Sequence, residues 1–177
     1  MGRPAAREHA MDLAPYHLWI VWIHVVGVFL FLIGHGVSAT VAWRLRTERD
    51  PVAVRTLLDF SRRSMTFMGV GLLIWLVGGI LAGFSGNYWT TGQYWIWVSL
   101  VLAIVVIAVM TPMGRLYFNR VRVAVGIDEK SGAVDPNFVV DQAALDKAIM
   151  SGRPTLIAGI GVGLILVLSW LMFFRPF

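Results

Sequence analysis

Hydrophobic and polar positions alternate along this chain in long blocks. Four stretches contain no Asp, Glu, Lys or Arg: Leu18 to Trp43, Ser64 to Phe84, Tyr94 to Gly114 and Thr155 to Phe174. At a rise of 1.5 Å per residue, about 20 helical residues cover the roughly 30 Å hydrocarbon layer of a bilayer, so each block is long enough to cross one. The pattern predicts an all-α chain with a single membrane domain over 1–177. Its transmembrane helices are expected at about 18–43, 64–84, 94–114 and 155–174, with polar loops at 44–63 and 115–154.

The connections refine that picture. Ser85-Gly-Asn-Tyr-Trp-Thr-Thr-Gly-Gln93 is short and uncharged, so the second and third helices should form a tight antiparallel hairpin. Asp50-Pro51 reads as an N-cap followed by proline at the first helical position. It opens an amphipathic segment through Leu57, Leu58 and Phe60, which should lie at the membrane surface and run into the second span. The later loop has turn chemistry at Gly126-Ile-Asp, Lys130-Ser-Gly and Asp135-Pro-Asn. After it, Phe138 to Met150 fits a short surface helix ended by Gly152. The expected architecture is an antiparallel four-transmembrane-helix bundle with short interfacial helices in the two polar loops.

Composition supports the membrane class: of 177 residues 58% are hydrophobic and 14% charged, and the mean hydropathy is +0.73. Cysteine is absent, which excludes disulfides, thiolate metal sites, iron-sulfur clusters and covalently attached c-type haem. The net charge of +5 is explained by topology rather than by nucleic acid. Twelve of the 15 Lys and Arg residues lie in the two long loops, leaving Arg3, Arg7 and Arg175 elsewhere. The positive-inside rule therefore places both loops in the cytoplasm and both termini outside. The first block is too long for a signal peptide's apolar region and should be retained. Six of the eight tryptophans, with Tyr16, Tyr88 and Tyr94, fall near the outer helix ends as an aromatic belt. Gly79 with Gly83, and Gly159 with Gly163, form small-xxx-small pairs where helix backbones should approach.

The candidate chemistry lies in the first helix. On a 100° rotation per residue, His24 falls about 20° short of two turns from His17, and His35 about 20° past three turns from His24. All three should share one face, at three depths. A polar group in hydrocarbon without a partner costs about 2–7 kcal/mol, so these rings should point into the bundle. No span carries a charged residue, which removes a carboxylate–histidine relay and disfavours a transporter. The indole N–H of Trp75, and the hydroxyls of Ser38, Ser99, Thr111 and Ser169, are candidate partners.

Metal or haem ligation competes with simple packing. Imidazole binds both metals and haem iron, and Met65, Met68, Met110 and Met113 should lie near the depth of His35. Imidazole with thioether suits Cu(I), while bis-histidine haem would need a histidine from another subunit, because helices two to four contain none.

The segments IHVVGVFLFLIGH, DPVAVRTLLDFSRRSMTFMGVGLLIWLVGGILAG, YWIWVSLVLA and SWLMFFRP together resemble a bacterial family of predicted four-helix integral membrane proteins of unknown function. That family is similar in layout to the membrane domain of the copper-resistance D proteins. The resemblance spans most of the chain and rests on loose apolar patterns. It implies the same four-helix layout in a bacterial inner membrane, matches His24 to the family's first-helix histidine, and implies copper or haem handling. The functional expectation is a membrane subunit binding haem b or copper through His24, His35 and His17, with His35, Met65, Met68, Met110 and Met113 as metal ligands, for electron transfer or metal handling. The alternatives are an accessory or assembly subunit with no cofactor, held in a larger complex or homo-oligomer, and, more weakly, a small transporter.

Overall fold

A computed structural model of the chain describes residues 12–89, 92–128 and 131–177. Arg3, Arg7 and His9 of the N-terminal tail, and Glu129 and Lys130 at the start of the Lys130-Ser-Gly turn, lie outside the described residues. A 3-10 turn at Ala14–Tyr16 leads into α1 (His17–Leu45), followed by α2 (Pro51–Ser85), α3 (Tyr94–Ala124), α4 (Gln142–Ile149) and α5 (Arg153–Phe174). Among the described residues, extended pairing is limited to one isolated bridge, Ile127 with Val134. Four helical segments are long and apolar enough to cross a membrane, making this a multi-pass membrane protein of all-α class.

The helices are longer than the charge-free blocks. Asp50 caps α2, its carboxylate accepting from the N–H groups of Val52 and Ala53, and Pro51 occupies the first turn. The amphipathic stretch is therefore the start of one continuous helix that becomes the second span, and the polar loop shrinks to a few residues. α3 likewise runs on past Gly114 to Ala124. The short helix after it begins at Gln142 rather than Phe138, because Asp141 accepts from the N–H groups of Ala143 and Ala144 and sets its start. Phe138 instead covers Gly126, which takes a φ of +74°; a Cβ there would lie 2.5 Å from the Phe138 ring.

α1 and α2 form the principal seam. The buried positions of α1 are His24, Gly27, Gly34, Ser38, Val41, Ala42 and Leu45. With half-buried Phe31, and Ala42 aside, they step alternately by three and four residues. Ser61, Ser64, Gly71, Trp75 and Gly78 of α2 repeat the same rhythm. That is a 3.5-residue repeat, the period of left-handed helix pairing. Small residues bring the backbones together: a Cβ on Gly27 would lie 2.5 Å from the Trp75 nitrogen, and one on Gly34 would lie 2.7 Å from the Met68 nitrogen. Ser38 Oγ, 3.2 Å from the hydroxyls of both Ser61 and Ser64, ties the seam near its arginine-rich end. The two glycine pairs expected from a four-residue spacing behave differently. Gly79 and Gly83 meet side chains, whereas nothing would lie within 4 Å of a Cβ on Gly159 or Gly163. In α5 the close approach is at Gly161.

α3 packs chiefly on α5, and the two pairs meet around Trp75, Ala103, Leu168 and Leu171. The best-buried core lies elsewhere. Leu45, Val54, Leu58, Tyr117, Val121, Val125, Leu145 and Ile149 close together at the arginine-rich end, where α1 and α3 finish, α2 starts and α4 docks. The distribution follows the solvent. Burial from water drives packing at that end, whereas inside a bilayer lipid tails are as apolar as Leu and the driving force between helices disappears. Leu145→Ala is accordingly expected to cost about 2–5 kcal/mol and to expose the α3–α4 connection to protease. Leu166→Ala, on a side chain 66% exposed on α5, should change stability by less than about 0.5 kcal/mol. Thermal unfolding in detergent with limited proteolysis checks both.

Candidate functional site

The three histidines of α1 have three different surroundings. His17, at the first position of the helix, places Nδ1 2.8 Å from Ser85 Oγ at the far end of α2. Because that hydroxyl donates to the Ala82 carbonyl at 3.2 Å, the imidazole is the donor to Ser85. Its ring stands edge-on to Tyr88, with centroids 5.8 Å apart. Tyr88 in turn meets Trp95, and the Arg175 guanidinium lies 4.8 Å from the Tyr88 ring centre and 5.5 Å from that of Trp95. The backbone N–H of Trp95 donates to the Phe177 carbonyl at 3.2 Å, and its indole N–H to Gln93 Oε1 at 2.8 Å. These aromatic residues thus also bind the helix ends to one another.

His24 is buried in the α1–α2 seam, its Cα above Gly78 and its ring against Gly79. Nδ1 lies 2.8 Å from the backbone carbonyl of Trp75. A carbonyl only accepts, so Nδ1 carries the proton and Nε2 keeps a lone pair. Trp75 is the partner expected from the sequence, but through its carbonyl, with the histidine as donor in place of the indole. Holding one ring nitrogen on a backbone carbonyl is also how metal-binding histidines are oriented.

His35 is half-buried and stacks on Phe31, with centroids 5.8 Å apart and planes 9° from parallel. Phe31 leans on Trp75 at 5.3 Å. His35 has no hydrogen bond or ion pair with any described residue. Its Nε2 faces α5 at Gly161: a Cβ on that glycine would lie 3.1 Å from Nε2 and 3.4 Å from Met110 Cε of α3. The missing side chain of Gly161 therefore leaves room in which an imidazole nitrogen and the end of a thioether side chain come together. Gly161 was not legible as part of this arrangement, although it stands midway between the glycines singled out on α5.

The other methionines separate from this pair. Met65 packs against the core at the arginine-rich end. Met68 meets Gly34 through its own backbone and Cβ. Met113 is half-buried one turn beyond Met110. Among the described residues no group of three His, Asp or Glu side chains comes together.

The same packing tests the two cofactors. A haem macrocycle does not fit between α1 and α2, where added Cβ atoms on Gly27, Gly34 and Gly71 would meet backbone at under 3 Å. Beside His35 the space is shared with Met110 and α5. The open surface grooves along Trp97, Val101 and Val105 and along Ile23, Ile74 and Leu81 are apolar, with no histidine in their lining. A single soft ion fits the donors better, since Cu(I) accepts imidazole with thioether and low coordination numbers. Comparisons with protein-family models, with curated proteins and with solved structures find no match to this chain.

Proposed function

We propose that this chain is a metal-handling membrane subunit that binds Cu(I) through His35 Nε2 with the thioether of Met110, His24 being a second, pre-oriented imidazole deeper in the seam. The observation that carries the reading is the unpartnered His35 ring beside Met110 and Gly161. Leaving such a ring unpaired in hydrocarbon is costly, by about 2–7 kcal/mol for a polar group, and an ion accepting its lone pair removes that cost. When bound, copper would supply redox or transfer chemistry; the chain would supply the donors and the dry surroundings. Haem b belongs to the same proposal but has the weaker support, for want of room at either imidazole.

In this reading the helices form an antiparallel bundle in a bacterial inner membrane, with the arginine-rich end and the amphipathic start of α2 at the cytoplasmic surface and both termini outside. The kinship to the four-helix family and the copper-resistance D layout is part of the proposal and rests on the resemblance of the four apolar segments and of His24 alone. Titration of the purified protein with Cu(I) against a chromophoric chelator tests it. One equivalent held per chain is expected, and no uptake, together with no Soret band, removes the cofactor reading.

A second reading is favoured by the satisfied rings of His17 and His24. There the chain is an accessory subunit without a cofactor, whose wide lipid-facing apolar surfaces also receive other subunits or a second copy. It predicts a partner that co-purifies in mild detergent and a metal-free protein.

A further inference from the structure

The other concentration of unpaired polar groups lies where α1, α4 and α5 converge. Arg46, just after α1, reaches the Ser151 carbonyl with Nη2 at 3.5 Å. Arg49 donates to the Arg46 carbonyl at 3.0 Å and places Nε 2.6 Å from Asp146 Oδ1 of α4. Four atoms at this junction are buried without a hydrogen-bond partner: the donors Arg46 Nε, Ser151 Oγ and Arg153 Nη1, and the acceptor Asp146 Oδ1, whose contact with Arg49 is an ion pair without hydrogen-bond geometry. The buried carboxylate at this junction, Asp146, is already beside Arg49, so the guanidiniums of Arg46, Arg49 and Arg153 meet one acid there.

We propose that this junction binds a phosphate group, held by Arg46, Ser151 and Arg153. Guanidinium forks match phosphate oxygens in pairs, and a tetrahedral anion can accept from all three orphan donors at once. A water molecule would accept from at most two of these donors and leave the charge uncompensated. α5 begins here without a side-chain cap, so its first-turn N–H groups also favour an anion. Depth supplies the remaining argument. Arg46 lies just beyond one charge-free block and Arg153 just before another, which sets the site at the level of lipid headgroup phosphates.

The full-length protein in detergent is titrated with short-chain phosphatidylglycerol and, separately, with inorganic phosphate, read by native mass spectrometry and thermal shift. Saturable binding is expected, weakened about tenfold or more in the Arg46→Gln/Arg153→Gln variant. The Arg44→Gln/Arg63→Gln variant removes the same charge from exposed ion pairs and should change binding by less than about twofold. Ser151→Ala, which removes a donor and no charge, should weaken binding to a lesser degree and keeps the test available if the double variant misfolds. Binding of phosphatidylglycerol with inorganic phosphate inert assigns a lipid headgroup; binding of inorganic phosphate that competes with the lipid assigns a soluble phosphate compound. Absence of saturable binding to the wild type, or equal losses in the two double variants, overturns the site.

Discussion

Gly71→Leu is expected to leave almost no folded protein in detergent extracts. A Cβ at this position would overlap the backbone of Leu30 and Phe31 and lie 2.9 Å from the Gly27 carbonyl oxygen. Overpacking of a core usually costs about 1–3 kcal/mol because neighbouring side chains can turn aside. Here the neighbours are main-chain atoms of a helix that itself holds Gly27 and Gly34 against α2, so relief requires the whole pair to separate. The expected loss is about 3 kcal/mol or more, seen as aggregation on size-exclusion chromatography and a collapse of the thermal transition. Gly159→Ala is the matched control. Nothing would lie within 4 Å of its new methyl group, and alanine is favoured over glycine inside a helix by about 1 kcal/mol. That variant should be as stable as the wild type or slightly more so. If both variants behaved alike, α1 and α2 would not be joined at these glycines.

The contrast between those glycines also shows where the sequence was readable. Four spans follow from charge-free blocks, because placing a charge in hydrocarbon is expensive and the pattern needs no knowledge of neighbours. Which glycines touch is a question of helix phase. A four-residue spacing drew attention to Gly159 and Gly163, while the close contacts fall seven apart, at Gly27 and Gly34 and again at Gly71 and Gly78, as a 3.5-residue seam requires.

The same phase explains the histidines. On a straight helix His24 and His35 differ by about 20°, but on a 3.5-residue repeat eleven residues overshoot three turns by about 50°. His17 and His24, one heptad apart, both face α2, whereas His35 turns toward α5 and finds Gly161. The expected single face is therefore divided between two neighbours. Hydropathy also gave no sign that the densest core lies at the arginine-rich end, because its members Leu145, Ile149 and Val121 stand outside the apolar blocks and are brought there by the docking of α4.

This division makes the two histidine variants distinguishable. His35→Ala is expected to lower Cu(I) affinity at least about 100-fold, because it removes the nitrogen donor beside Met110 and leaves a lone thioether. In the metal-free protein it should not destabilise the fold, since relief of an unpaired polar ring offsets the lost stack on Phe31. Met110→Leu, close in volume but without sulfur, should weaken binding less than loss of the imidazole and leave the fold intact. His24→Ala should behave in the opposite way. It removes a buried ring from the seam and its bond to the Trp75 carbonyl, at a cost of about 1–3 kcal/mol, while the His35 site keeps its metal. Chelator competition and thermal unfolding on the same three variants separate the two effects. Should His24→Ala abolish copper uptake while His35→Ala retains it, the metal would belong to the seam, and the space at Gly161 would be packing alone.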